Sequence, residues 1–277
     1  MGNIGDSTNL LSIESIKQLK GCCDKGSKAQ GLHHLKLYLA RFGYLNYQHN
    51  PNHASTEEEN FDDELESALK SYQKYYRLDE TGTLDEATVT LMVTPRCGLS
   101  DIETNRHGSK SLHSVAHYGV FAGRPRWGKS NFTYAFASNY PKNHMPPIVR
   151  ALNQWSSASG YFTFSQINNI TSADLKVSFE KIDHGDGHSL AGAYAHAFPP
   201  RDGRIHFNEN ITFSDGPGAV YKVVDLATVA LHESGHSLGL AHSNDKNAIM
   251  YAYIYPGVVK GLNEDDIRGI KGLYKLE

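Results

Sequence analysis

Cysteine is scarce in this 277-residue chain. Only Cys22, Cys23 and Cys97 occur, too few for a disulfide framework to hold the fold. No apolar run approaches the roughly 20 residues of a membrane-spanning helix. An excess of charge of one sign is also missing. The formal net charge is −3, which gives no case for nucleic acid or an anionic membrane surface as partner. Apolar residues make up 39% and charged residues 21%, a composition that excludes a disordered or fibrous chain. The length suffices for one large domain or two small ones. Histidine, in contrast, is abundant. There are 15, and His184, His188, His196, His206, His232, His236 and His242 all fall in the last hundred residues. Metal chemistry is therefore the first function to test.

The opening segment, MGNIGDSTNLLSIESIKQLKG, shows neither a charged n-region nor an apolar h-region, so no signal peptide is visible. Asp6 stands where a myristoylation signal needs Ser or Thr. Asn131, Asn169 and Asn210 each head an Asn-x-Thr triplet, the form of a glycosylation acceptor.

Helical periodicity fills most of the first hundred residues. Over 32–45, Leu32, Leu35, Leu39 and Phe42 share one face, and Gly43 ends the run. Leu65, Ala68, Leu69, Tyr72 and Tyr76 recur at helical spacing in the next stretch. Thr83 with Glu86 reads as a capping box opening a third short helix over Leu84, Ala87 and Leu91. These stripes read as the core of a compact three-helix domain. Cys22 and Cys23 read as packing residues or free thiols. From 101 to 110 periodicity disappears, as in an exposed linker.

Beyond it, strands and helices intersperse in an α+β pattern. NFTYAFA, YFTFSQI, ADLKVSFE, GAYAHAF and GRIHFN read as strands. PPIVRALNQWSSAS, VVDLATVALHESGHSLGL and NEDDIRGIKGLYKL read as helices.

The string HESGHSLGLAHS, 232–243, carries the chemistry. His232 and His236 are one helical turn apart and project from one face. Both can reach a tetrahedral Zn2+. Gly239 can break the helix and turn the chain back, so that His242 supplies a third ligand. Three ligands leave one position open, the mark of a catalytic zinc. Glu233, beside the first ligand, is placed to act as general base on water. Met250 follows a few residues on, where a Met-turn would lie.

These residues form a metzincin signature, and the chain resembles a matrix metalloproteinase in proenzyme form, most closely the plant members. PRCGLSD (95–101), GRPRWGKSNFTYAF, Ser243 directly after the third histidine and the closing LNEDDIRGIKGLY carry the resemblance. It covers nearly the whole chain and implies a three-helix prodomain followed by a metzincin zinc-protease domain with a twisted mixed β-sheet and three helices. The implied boundaries are 1–101 for an inhibitory prodomain, 102–117 for an activation linker and 118–277 for the catalytic domain.

The resemblance further implies that Cys97 occupies the fourth zinc position as an inhibitory ligand, with Arg96 and Asp101 paired to hold its loop. From the residues alone, the histidines of HGDGHSLAGAYAHAFPPRDGRIHF are either metal ligands or hydrogen-bonded strand residues. The resemblance makes His184, Asp186, His196 and His206 a structural zinc site, with His188 a spare, exposed residue. Two zinc ions are thus expected. The family's calcium loop is missing here, and Asn208 and Ile211 stand where acidic ligands belong. Glu209 and Asp174 are the candidates for a weaker Ca2+ site.

The resemblance places Thr228, four positions before His232, in the specificity pocket, and its small size implies a pocket open to a bulky apolar side chain. Ala252 stands where the pocket wall usually has Pro. Processing of the His117–Tyr118 bond would create an α-ammonium for which Asp265 is the matching partner.

The implied activity is that of a secreted or cell-surface zinc endopeptidase, its signal already removed. It would be a monomer held latent until an activating protease or autocatalysis acts, with protein or peptide substrates and no nucleic acid. A catalytically impaired relative acting as a binding or signalling module is the alternative.

Overall fold

The computed structural model describes residues 11–46, 59–104, 110–111, 114–115, 118–216 and 219–277. The chain divides into two units, Met1–Thr94 and Pro95–Glu277.

In the first unit the expected helical stripes are buried. Helix α2 (Leu32–Arg41) turns Leu32, Leu35 and Leu39 inward, its C-cap Phe42 is buried, and Gly43 follows at φ 88°. Helix α3 (Asp63–Tyr75) buries Leu65, Ala68, Leu69 and Tyr72. Its cap, Asp62, accepts from Leu65 N at 2.8 Å and from the buried Lys36 Nζ at 2.8 Å. A short helix α1 (Ile13–Gln18), begun by a Ser12 cap, precedes them and was not legible in the sequence.

The third expected helix starts later than its pattern suggests. Helix α4 (Glu86–Met92) is capped by Asp85, whose Oδ1 accepts from Thr88 N at 2.8 Å. The Thr83–Glu86 capping box does not form, because Asp85 takes the cap and leaves Glu86 as the first helical residue, paired with Lys20 at 2.6 Å. Leu84 is buried ahead of the helix, Ala87 is exposed, and the inward face is Thr88, Val89 and Met92. A second correction concerns Cys22 and Cys23, which are joined to each other in a disulfide rather than free. Adjacency in sequence already holds their Cα atoms 3.8 Å apart.

The second unit is built on a five-stranded mixed sheet: β5 (Asn131–Phe136), β6 (Thr163–Gln166), β7 (Leu175–Glu180), β8 (Ala195–Ala197) and β9 (Arg204–Asn208). The order is β6-β5-β7-β9-β8. Only β8 runs antiparallel to its neighbour, pairing His196 with His206. Three helices complete the unit: α5 (Met145–Ser159), α6 (Leu226–Ser237) and α7 (Glu264–Tyr274). The α+β class with a mixed sheet and three helices agrees with the sequence reading.

Shorter strands frame the unit. Strands β1 (Glu103–Thr104) and β2 (Lys110–Ser111) pair antiparallel within the stretch expected to be linker, and 105–109 lies outside the described residues. Strand β4 (Tyr118–Val120) pairs with β3 (Ser114–Val115) and with β12 (Leu240–Ala241). Strand β11 (Val224–Asp225), paired with β10 (Phe213–Ser214), takes the head of the segment expected to be wholly α6. Asp225 then caps the helix, accepting from Thr228 N at 2.8 Å.

Two tryptophans hold α6. Trp155 of α5, 0% exposed, donates Nε1–H to Leu231 O at 2.9 Å. Trp127 Nε1 donates to Ser237 O at 2.8 Å. Gly235 is the contact point between α6 and the core beneath it. A Cβ there would lie 2.4 Å from Met250 Sδ and 2.9 Å from Trp155 Cζ2. Gly235→Ala is therefore an overpacking change, expected to cost about 1–3 kcal/mol in denaturant unfolding of the full chain. A variant as stable as wild type would show that the seam between α6 and Met250 is loose.

Candidate metal centres

Helix α6 sets two imidazoles on one face. His232 Nε2 and His236 Nε2 are 3.0 Å apart, and both residues are fully buried. Their outer nitrogens are held by backbone: His232 Nδ1 lies 2.7 Å from Ile249 O, and His236 Nδ1 lies 2.7 Å from Leu240 O. A carbonyl only accepts, so each Nδ1 carries the proton and each Nε2 presents a lone pair. Gly239, at φ 109°, ends the helix. A Cβ there would come 2.4 Å from Pro125 O, so glycine is required for both conformation and space. The reversed chain brings His242 to the other two, its Nδ1 2.8 Å from Asp101 Oδ1.

Cys97 joins this group. Its Sγ is 3.5 Å from His236 Nε2, and the donor atoms of Cys97, His232, His236 and His242 lie within 4.8 Å of one another. The segment around it is strapped on two sides. Cys97 N donates to Ala252 O at 2.9 Å, Gly98 N to Ala195 O at 2.8 Å, and Tyr194 N to Arg96 O at 2.9 Å. Arg96, 1% exposed, donates to Cys97 O, pairs both guanidinium nitrogens with Asp101 and lies 5.0 Å over the Tyr253 ring. Burial alone would raise the Asp101 carboxyl, but the Arg96 charge and the His242 contact outweigh it and hold it well below the usual range.

Glu233 is buried beside the cluster, and neither of its oxygens has a hydrogen-bond partner. Burial pushes its carboxyl up to about 8 and, with the Glu233 charge, pushes the Cys97 thiol up as well. The same burial pushes His232 and His236 well down, which keeps them neutral and able to ligate. An unsatisfied buried carboxylate beside converging lone pairs is what a cation would compensate. Three imidazoles and a thiol suit zinc, and the residues fit that ion.

The second group closes as completely. Asp186 Oδ2 is 2.8 Å from His184 Nε2, 3.1 Å from His196 Nε2 and 3.1 Å from His206 Nδ1. His184 Nε2 and His196 Nε2 lie 3.0 and 3.2 Å from His206 Nδ1. His184 is oriented from behind by Lys181 O, 2.9 Å from its Nδ1. Burial lowers the His196 imidazole to about 3, so it is neutral and able to ligate. His188 is exposed, as expected of the spare residue.

No third group of His, Cys, Asp and Glu with such convergence occurs among the described residues. Asp174 is committed elsewhere: Oδ1 pairs with Lys129 at 2.5 Å and Oδ2 accepts from Thr133 N at 2.7 Å. Glu209 is exposed and outside both groups. Asn208, where an acidic ligand was expected, is buried, and its Nδ2 donates to Leu190 O at 3.1 Å and Ala193 O at 2.9 Å.

Met250 lies beneath α6, 2% exposed, and its carbonyl accepts from Ser243 N at 2.9 Å. Asp266, which sequence reading missed, holds that turn: its carboxylate accepts from Ile249 N at 2.9 Å and Met250 N at 3.1 Å. The available signal was Asn263 three residues before it, a capping box in which both halves form. Thr228 is buried, its hydroxyl donating to Asp225 Oδ2 at 2.7 Å and accepting from Lys260 N at 3.1 Å. Lys260, also missed, donates Nζ to Lys246 O and Ala248 O, so the segment after Met250 is tied to both α6 and the turn. Asp265, 2% exposed, accepts from Ser243 Oγ at 2.7 Å.

Family comparison agrees with this geometry. Residues 126–275 match the model of the matrixin peptidase family, and 28–92 match a putative peptidoglycan-binding domain. Metalloendoproteinase 1-MMP of Arabidopsis thaliana is 39% identical over 90% of this chain and 70% of its own length. Metalloendoproteinase 1 of Glycine max is 38% identical over 91% of this chain and 84% of its own length. Human matrix metalloproteinase-20 is 36% identical over 74% of this chain and 41% of its own length. A fold of helices followed by a mixed-sheet domain, a histidine set fit for zinc and relatives of this kind together place the chain in the matrixin family, as a zinc metalloendopeptidase.

Proposed function

We propose that the chain is the latent form of a secreted endopeptidase that hydrolyses internal peptide bonds, with Cys97 as the inhibitory ligand of a catalytic zinc. The convergence of Cys97 with His232, His236 and His242 is the observation that carries this reading. His184, Asp186, His196 and His206 hold a second, structural zinc. Bound among His232, His236 and His242, zinc would supply a Lewis acid that polarises the scissile carbonyl and acidifies water. Glu233 takes the proton from the attacking water and returns it to the leaving amine. The backbone groups that now bind residues 96–98, at Tyr194 and Ala195 on one side and Ala252 on the other, hold the substrate main chain once that segment has left. Thr228 and Lys260 fix the wall of the pocket that receives the adjoining side chain. Asn208 braces the loop carbonyls directly, so the absent calcium loop is no reason to read the chain as an impaired relative.

Activation would proceed by cleavage around 102–117 and yield a catalytic domain over 118–277. His117 lies outside the described residues. Tyr118 packs on α7, where a Cβ on Gly269 would come 3.2 Å from its Cβ. That is one turn from Asp265, the proposed partner of the new α-ammonium.

Four measurements test these assignments. Glu233→Ala should lower cleavage of a quenched fluorescent peptide by roughly 10²–10⁴-fold, with zinc content unchanged because Glu233 is not a ligand. Near-normal turnover would remove it as the base. Cys97→Ser should process itself without a mercurial trigger, since a neutral hydroxyl is a poorer zinc ligand than a thiolate. A variant that stays latent would refute the switch. Elemental analysis should find two zinc ions per chain and one in His206→Ala; a single ion in wild type would dismiss the structural site. Forms beginning at Tyr118 should exceed neighbouring trimmed forms in activity, and Asp265→Asn should erase the difference. Equal activities would leave Asp265 without this role.

A further inference from the structure

The three imidazoles of the α6 centre are not oriented in the same way. His232 and His236 each face a backbone carbonyl, of Ile249 and Leu240, that lies downstream of the metal helix and stays with the mature enzyme. His242 faces a side chain from the segment that carries Cys97: its Nδ1 lies 2.8 Å from Asp101 Oδ1, and both side chains are 0% exposed. The Asp101 carboxylate is in turn held by Arg96, which pairs with both of its oxygens. A carboxylate on the outer nitrogen of a ligating histidine fixes the ring, selects the tautomer with the inner lone pair and strengthens the ligand.

We propose that Asp101 is a positioning residue for the catalytic metal in the latent chain. This inference rests on the reading of the α6 histidines as a zinc site. The inhibitory segment then contributes two groups to the centre rather than one: the Cys97 thiol on the open face and the Asp101 carboxylate behind His242. Arg96 pairs with both oxygens of that carboxylate. When the segment leaves, the metal loses a ligand and His242 loses its contact with Asp101. Latency and tight metal retention are consequently one property, and the mature enzyme holds its catalytic metal less tightly than the loss of Cys97 alone requires.

Cobalt substitution of the full latent chain separates this role from simple support of the loop. A thiolate-to-cobalt charge-transfer band reports whether Cys97 is on the metal, and competition with a fluorescent chelator reports how tightly the metal is held. Asp101→Asn should keep the band and weaken metal binding about 10–100-fold, the usual effect of losing an outer-shell partner. Arg96→Gln keeps the carboxylate behind His242 and should lose far less. Equal losses in the two variants, or no loss in Asp101→Asn, would overturn the inference. If a variant fails to fold, the wild-type zinc form decides. In nitrogen-15 spectra, processing should shift the Nδ1–H signal of one ligand histidine well beyond the changes that loss of Cys97 causes in the other two. Shifts of equal size in all three would overturn it. A wild-type chain that takes up no metal at these histidines would instead overturn the reading of the site itself.

Discussion

Neutral imidazoles brought to 3.0 Å with their lone pairs facing each other repel unless a cation lies between them. This demand organises the second unit. Helix α6 alone brings only His232 and His236 into register, so the chain must stop at Gly239 and reverse before His242 can complete the set. The carbonyls that orient the first two rings come from Leu240 and Ile249, both beyond that reversal. Asp266 then fixes Ile249 and Met250 through their amides, so the start of α7 holds the floor of the metal site. Trp155 and Trp127 lock α6 from the other side through Leu231 O and Ser237 O. The hydrophobic core and the ligand set are thus positioned by the same residues.

How much of this was legible depended on the range of the interaction concerned. The helical stripes of α2 and α3 were read correctly because burial of Leu35, Leu39, Leu65 and Leu69 follows a local period. The start of α4 was misread because two acceptors, Thr83 and Asp85, were available, and the second took the cap. The convergence of the first histidine cluster was legible because the His232–His236 offset on α6 is itself local geometry, and that of the second cluster through family resemblance. Lys260, Asp266 and the contact of Asp101 with His242 were not. They join segments whose approach is set by tertiary packing, and a lysine or aspartate in a polar stretch carries no mark of the carbonyl or imidazole it will meet.

Asn208 shows how a departure from a family pattern can leave the architecture intact. A primary amide offers two N–H donors at a fixed spacing, and here both are spent on carbonyls of one loop, at Leu190 and Ala193. A cation would bind those oxygens by charge; the amide binds them by geometry and needs no ion. The loop between Asp186 and His196 is thereby braced from the strand that supplies His206, and the two halves of the second cluster share one support.

The division of the chain at Thr94 bears on how the inhibition proposed for Cys97 would be exerted. Residues 95–101 fold as part of the second unit, with backbone bonds on both flanks and Cys97 and Asp101 at the metal group. On that reading they would act as a seven-residue ligand joined to its own receptor by the chain that continues through Ile102. While that connection is whole, the ligand would be presented at a raised effective concentration. Cutting the connection breaks none of the contacts made by 95–101 and would lower only that concentration. Inhibition would then depend on how dilute the released fragment becomes, so a crowded compartment and an open one would respond differently to the same cut.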